Sequence, residues 1–180
     1  YWQAQKARGE LAITWDRGDN DGVSSEQFYS EYRALAEQPG MLAEDIGDAL
    51  GALSDADRVI ESVYEMPLLA HATLEPMNCI AQVSGDACTI WSGTQYQSND
   101  QEVISRFLGI PQENVTVHRP LMGGSFGRRS SKKAAFTVEA VEAAMGENVP
   151  VKIIWSREED IRSGHYRPLF VHKMRGSLDA

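Results

Sequence analysis

Leu121-Met122-Gly123-Gly124-Ser125-Phe126-Gly127-Arg128-Arg129 joins a predicted strand, Val115-Thr116-Val117-His118, to a predicted helix beginning near Lys132. Its three glycines cost backbone entropy that a plain structural loop avoids. What they offer is close approach of main-chain N–H groups to a bulky anion such as a phosphate or pyrophosphate. Arg128 and Arg129 add fixed positive charge on planar donor forks. Two familiar phosphate loops are excluded by spacing. Counting from Gly123, the second glycine of G-x-x-x-x-G-K-[ST] falls on Arg128, and G-x-G-x-x-G fails as well. The competing reading is a tight turn with Phe126 anchored in the core and both arginines solvated.

Outward from the loop, composition narrows the function classes. The 180 residues carry 17 Lys+Arg against 26 Asp+Glu, a formal charge of −9. That balance opposes nonspecific attraction to nucleic acid or an anionic membrane, so the cluster Arg128, Arg129, Lys132 and Lys133 stands out. An apolar content of 42% excludes a disordered chain. No apolar run approaches the roughly 18 residues that span a bilayer. The abrupt opening, Tyr1-Trp2-Gln3, suggests a piece of a longer protein.

The rest of the pattern is mixed. Tyr1 to Arg8 reads as a helix end stopped by Gly9, Leu11 to Trp15 as a short strand, and Asp16 to Gly22 as a solvated linker without the calcium-loop positions. Ser24 or Ser25 caps a helix to about Gln38, a polar Gly-interrupted stretch runs to Ser54, and Arg58 to Tyr64 is β-branched enough for a strand. Around Gly85-Asp86 a hairpin is predicted, with Ser84 facing Ala87, Val83 facing Cys88 and Cys79 facing Ser92. The two cysteines therefore do not pair. Ser98 with Gln101 suggests a capping box for a helix to Gly109, which places Thr94 and Gln95 just before a helix N-terminus. Ala134 to Met145 is an amphipathic helix, Val149 to Trp155 a strand, Ser156 the cap of a helical turn, and Leu169 to Leu178 a last strand with Lys173 and Arg175 on a wet face. His71, Glu75 and Asn78 sit among apolar neighbours, as either a buried polar turn or the wall of a site.

Five segments, in order, resemble the molybdenum-binding subunit of the xanthine dehydrogenase/aldehyde oxidase family, particularly its isoquinoline 1-oxidoreductase beta-subunit branch. They are Tyr64-Glu65-Met66-Pro67 with His71 to Asn78; Trp91-Ser92-Gly93-Thr94-Gln95; Phe107-Leu108-Gly109-Ile110; Gly123 to Arg129; and Pro150 to Asp160. The resemblance implies an α+β fold, a mixed sheet packed with helices, forming part of the molybdopterin-binding region of a molybdenum hydroxylase. Residues 1–57 are then a connector from a preceding hammerhead-like domain and 58–180 a partial first molybdopterin-binding domain.

The same resemblance implies a role for Gln95, donating a hydrogen bond near the molybdenum's oxo group. It implies that Gly123, Gly124, Ser125, Phe126, Gly127 and Arg128 hold the pterin and its phosphates. The cofactor is then molybdenum-molybdopterin in its cytosine dinucleotide form, bound by the full protein and absent from an isolated fragment. The implied partners are a small 2Fe-2S subunit on a separate chain and a small-molecule substrate, with no nucleic acid and no membrane span. The family's general base, a glutamate far downstream, lies beyond residue 180. Ser125 departs from the pattern where a third glycine is usual, and Ser130-Ser131-Lys132-Lys133 is more basic than this branch. The competing class is a non-catalytic α+β module whose basic glycine-rich loop binds a nucleotide or an acidic partner.

Overall fold

The computed structural model describes residues 1–178. Contacts divide the chain into two compact units, Tyr1–Gly9 with Ala70–Tyr166, and Glu10–Leu69 with the chain from Arg167 onward. Strand β1, Arg58–Met66, pairs antiparallel with β6, Phe170–Leu178, from Arg58↔Leu178 to Met66↔Phe170. No helix among the described residues is long and apolar enough to cross a membrane.

The first unit holds α1 (Trp2–Gly9) and a four-stranded sheet in the order β4-β3-β2-β5. Strands β2 (Asn78–Ser84) and β3 (Ala87–Ser92) form the hairpin in the predicted register, with Val83 opposite Cys88 and Cys79 opposite Ser92. Helix α4, Gln97–Leu108, carries the chain back so that β4, Val115–His118, lies parallel to β3. Strand β5, Val151–Ile154, joins the far side of β2. Period-two alternation sends Cys79, Ala81, Cys88 and Ile90 to one face. There they pack with Ile104 of α4 and with Phe136, Ala140, Val141 and Ala144 of α5, Ala135–Ala144. Burial pushes the Cys79 thiol up to about 12 and that of Cys88 to about 11, so neither is a nucleophile near neutrality.

Two helix starts differ from expectation. Tyr96 is the N-cap of α4 without a side-chain bond, because Gln101 spends its amide on the Val115 carbonyl at 2.8 Å, and the Ser98–Gln101 box does not form. Helix α5 begins only after Ala134, which takes a left-handed φ of 49°. The capping box that does form is at α6, Arg157–Arg162, between Ser156 and Glu159.

In the second unit, α2 (Ser25–Ala36) and α3 (Ala49–Asp55) pack against β6. Ser24 caps α2, accepting from the Gln27 N–H at 3.2 Å. Helix α3 falls in the stretch read as irregular, and its start is Asp48, which accepts from the Gly51 N–H at 2.9 Å. Leu11 to Trp15 forms no strand, since no partner backbone lies beside it, and Trp15 stays 78% exposed. Lys173 reaches Glu37 at 2.8 Å and Glu61 at 3.7 Å, so that face carries ion pairs and is not simply wetted charge.

Candidate functional site

The glycine loop leaves β4 and is clamped first by a carboxylate of its own chain. The Gly123 N–H donates to Glu75 Oε2 at 2.6 Å, and the Glu75 N–H donates back to the Gly123 carbonyl at 3.1 Å. The Asn78 amide donates to the other Glu75 oxygen at 2.6 Å. Burial alone would push the Glu75 carboxyl up. The Gly123 N–H, the Asn78 amide and the charges of Arg129 and Lys152 outweigh it and hold the group below the usual carboxylate range. A Cβ on Gly123 would stand 2.7 Å from that of Glu75, so only glycine admits this approach. One N–H that the sequence offers to an external anion is thus already used internally.

Arg129 closes the arrangement from beneath. It is 1% exposed, against the solvated position in the tight-turn reading. Its guanidinium donates to the carbonyls of Gly124 at 3.1 Å, Gly93 at 3.2 Å, Glu75 at 3.0 Å and Pro76 at 3.4 Å. Its own carbonyl accepts from the Gln95 N–H at 3.0 Å. A fork with five donors can tie three segments at once, which a point-like ammonium cannot. Gly93 is required here too, since a Cβ there would lie 2.8 Å from that of Met122.

Gln95 is held by its side-chain oxygen. Its Oε1 accepts from the Gly127 N–H at 3.1 Å, leaving its amide NH2 without an acceptor among the described residues, on an exposed side chain. Gly124 and Gly127 adopt φ of 93° and 96°, and Phe126 a φ of 52°. Phe126 is 62% exposed, so it does not anchor the core. Ser125 accepts the Arg128 N–H at its carbonyl, 2.8 Å away, which folds the loop back on itself. Arg128 is 5% exposed with its guanidinium 5.2 Å from the Trp155 ring centroid, and its Nε and Nη1 find no acceptor among the described residues.

The bond from the Gly127 N–H to Gln95 Oε1 brings Gln95 beside the glycine loop, while Arg129 as the tie and Glu75 as the clamp go beyond the sequence reading. The available signal was the pairing of a carboxylate and an amide three apart, Glu75 and Asn78, with a loop whose glycines expose donors.

Beside Thr94, Asp100 is 3% exposed with Oδ2 unpartnered. Burial raises it from 3.8 to about 6, opposed in part by the Thr94 hydroxyl. A raised carboxyl means that the folded state binds more protons than the unfolded one across that interval, so stability falls as pH rises from 3.8 to about 6. Asp100→Asn removes this slope. In urea unfolding across that range, the variant is expected to gain on the wild type as pH rises, and a constant difference would refute the assignment.

A family model described as a molybdopterin cofactor-binding domain matches residues 35–180. The beta subunit of isoquinoline 1-oxidoreductase from Brevundimonas diminuta is 31% identical, over 96% of this chain and 23% of its own length. Aldehyde oxidase 2 of Cavia porcellus is 24% identical over 99% of this chain and 13% of its own. Among solved structures, quinoline 2-oxidoreductase from Pseudomonas putida 86 superposes with a TM-score of 0.64 over 72% of this chain and 16% of that one, at 18% identity. The last is evidence of fold. The chain therefore spans about a quarter or less of the length of these relatives.

Proposed function

Because the chain belongs to the molybdopterin cofactor-binding domain family, we propose that it forms one wall of a molybdenum-cofactor site in an oxidoreductase. That enzyme hydroxylates carbon in N-heteroaromatic or aldehyde substrates with oxygen from water. The observation that carries the reading is the bond from the Gly127 N–H to Gln95 Oε1, which joins the two segments expected to meet at the cofactor and leaves the Gln95 amide NH2 as an outward donor. Preorganised neutral donors stabilise developing negative charge without reorganising during reaction.

The residues fit such a group. Gly124, Phe126 and Gly127 hold positive φ values that turn the loop's backbone, and Arg128 brings unsatisfied donors beside it. In this reading Gly123, Gly124, Ser125, Phe126, Gly127 and Arg128 form the wall that holds the cofactor, in its cytosine dinucleotide form, with the N–H groups of Gly123 and Gly127 fixing the loop's shape, and Gln95 faces its metal end. When bound, the cofactor supplies the two-electron redox chemistry. The protein's share is to fix donors and exclude alternatives by shape. A 2Fe-2S subunit on another chain takes the electrons, and residues 1–57 connect to a preceding domain.

Metal analysis of the purified, active protein tests the assignment. Molybdenum is expected in proportion to active sites, and activity in a preparation free of molybdenum would overturn it.

A further inference from the structure

We propose that Asp100 is a positioning residue for Gln95, acting through the Thr94 hydroxyl. The inference rests on the reading of Gln95 as the outward donor to the cofactor. All three residues lie at the turn into α4: Thr94 and Gln95 precede its N-cap, Tyr96, and Asp100 stands in its first turn. Thr94 and Asp100 are buried, whereas Gln95 is exposed. The carboxyl can therefore influence Gln95 only through the protein.

The Thr94 hydroxyl is shared between the two. Its oxygen accepts from the Tyr96 N–H at 3.0 Å, and it donates to the Arg129 carbonyl at 3.3 Å. That carbonyl also accepts the Gln95 N–H at 3.0 Å, so it anchors the Gln95 main chain, while the Gly127 N–H holds the side-chain oxygen at 3.1 Å. The Asp100 carboxyl is hydrogen-bonded to the same hydroxyl, and its Oδ2 has no partner among the described residues. A hydroxyl has one proton, and here two acceptors compete for it. A carboxylate is the stronger acceptor, so ionised Asp100 draws the proton away from the Arg129 carbonyl. A neutral carboxyl donates its own proton to Thr94 instead, and the hydroxyl proton then goes to Arg129.

The surroundings leave this choice to Asp100 itself. Burial keeps its carboxyl neutral up to about 6, with the Thr94 hydroxyl opposing in part. On β2 the Cys79 thiol senses the Asp100 charge, but burial pushes that thiol up to about 12 and it stays protonated. Burial, Glu75, Asp160 and Arg128 govern the Arg129 guanidinium, and Asp100 does not. The buried face of α5 presents Phe136, Thr137, Ala140, Val141 and Ala144, none of them charged. Glu113 and His118, on the turn and strand packed against α4, take no part in raising or lowering Asp100.

Main-chain amide hydrogen exchange in the intact, cofactor-depleted protein tests the coupling without turnover. At a pH one unit above the Asp100 midpoint of about 6, residues 93–97 are expected to exchange roughly fivefold faster in wild type than in Asp100→Asn, whose side-chain amide donates to Thr94 at every pH. One unit below the midpoint the two should coincide. Rates are compared at equal pH and divided by those of α5, which report opening of the whole unit. In a Thr94→Val background the difference should vanish, and Thr94→Ser should restore it. Equal exchange above the midpoint, or a difference that survives Thr94→Val, would overturn the proposal. In the active enzyme, the ratio of kcat in Asp100→Asn to kcat in wild type is expected to rise as pH passes about 6, with KM unchanged. Should exchange respond while that ratio stays flat, Asp100 does position Gln95, and the reading of Gln95 as the donor is what fails.

Discussion

Arg129→Ala is expected to lower the unfolding free energy by about 3–5 kcal/mol, the range found when one partner of a buried charged network is removed. The truncation leaves the carbonyls of Gly93, Gly124, Glu75 and Pro76 without this donor, and strips the Glu75 carboxylate of a cation 3.5 Å away. It also opens a void under the Phe136 ring, whose centroid lies 6.0 Å from the guanidinium. Arg129→Lys keeps the charge but loses the fork, so it should recover only part of the loss. Urea unfolding followed by circular dichroism and tryptophan fluorescence measures both. A loss below about 1 kcal/mol for the alanine variant would mean that these carbonyls find other donors, and that three segments do not depend on one side chain.

Gln95→Ala, in the active enzyme, is expected to lower turnover roughly a hundredfold, about 3 kcal/mol in the transition state, while molybdenum content stays close to wild type. The two ends of the amide separate cause from scaffold. Oε1 takes the Gly127 N–H at 3.1 Å, and the NH2 is the outward donor. Gln95→Glu preserves an acceptor for Gly127 and removes the donor, so it should keep the loop in place and still lose rate. Should Gln95→Glu retain full turnover, the outward donor is not used in the reaction. Should both variants lose molybdenum, Gln95 serves the loop's geometry and not the chemistry.

Much of the sheet could be read directly. The hairpin register followed from alternation around Gly85-Asp86, and it placed Cys79 opposite Ser92 as observed, because one buried face penalises any slip by a single residue. Caps were read less well. Ser98 and Gln101 have the right spacing, but Gln101 has a better use 14 residues away, on the Val115 carbonyl, and local pattern carries no information about that competitor. Leu11 to Trp15 has strand composition without a neighbour to pair with, and pairing is what makes a strand. At the loop, the positive φ of Gly124 and Gly127 was legible from glycine spacing because backbone demands are local. The burial of Arg129 was not, since it depends on carbonyls contributed by residues more than thirty positions apart in sequence.

The pairing of β1 with β6 sets an order of events during synthesis. Strand β1 ends at Met66 and its partner begins at Phe170, with the whole of Ala70–Tyr166 between them. Closing so long a loop costs entropy that grows only with the logarithm of its length, but closure cannot begin before β6 has been made. At roughly 5–20 residues per second on the ribosome, β1 waits for something like 5–20 s with Val59, Ile60, Val63, Tyr64 and Met66 lacking their mates. The intervening segment has its own hairpin and its own core, so it can collapse first and bring the two ends of the ribbon within reach. Nascent chains are therefore most prone to mispair through β1 in that interval.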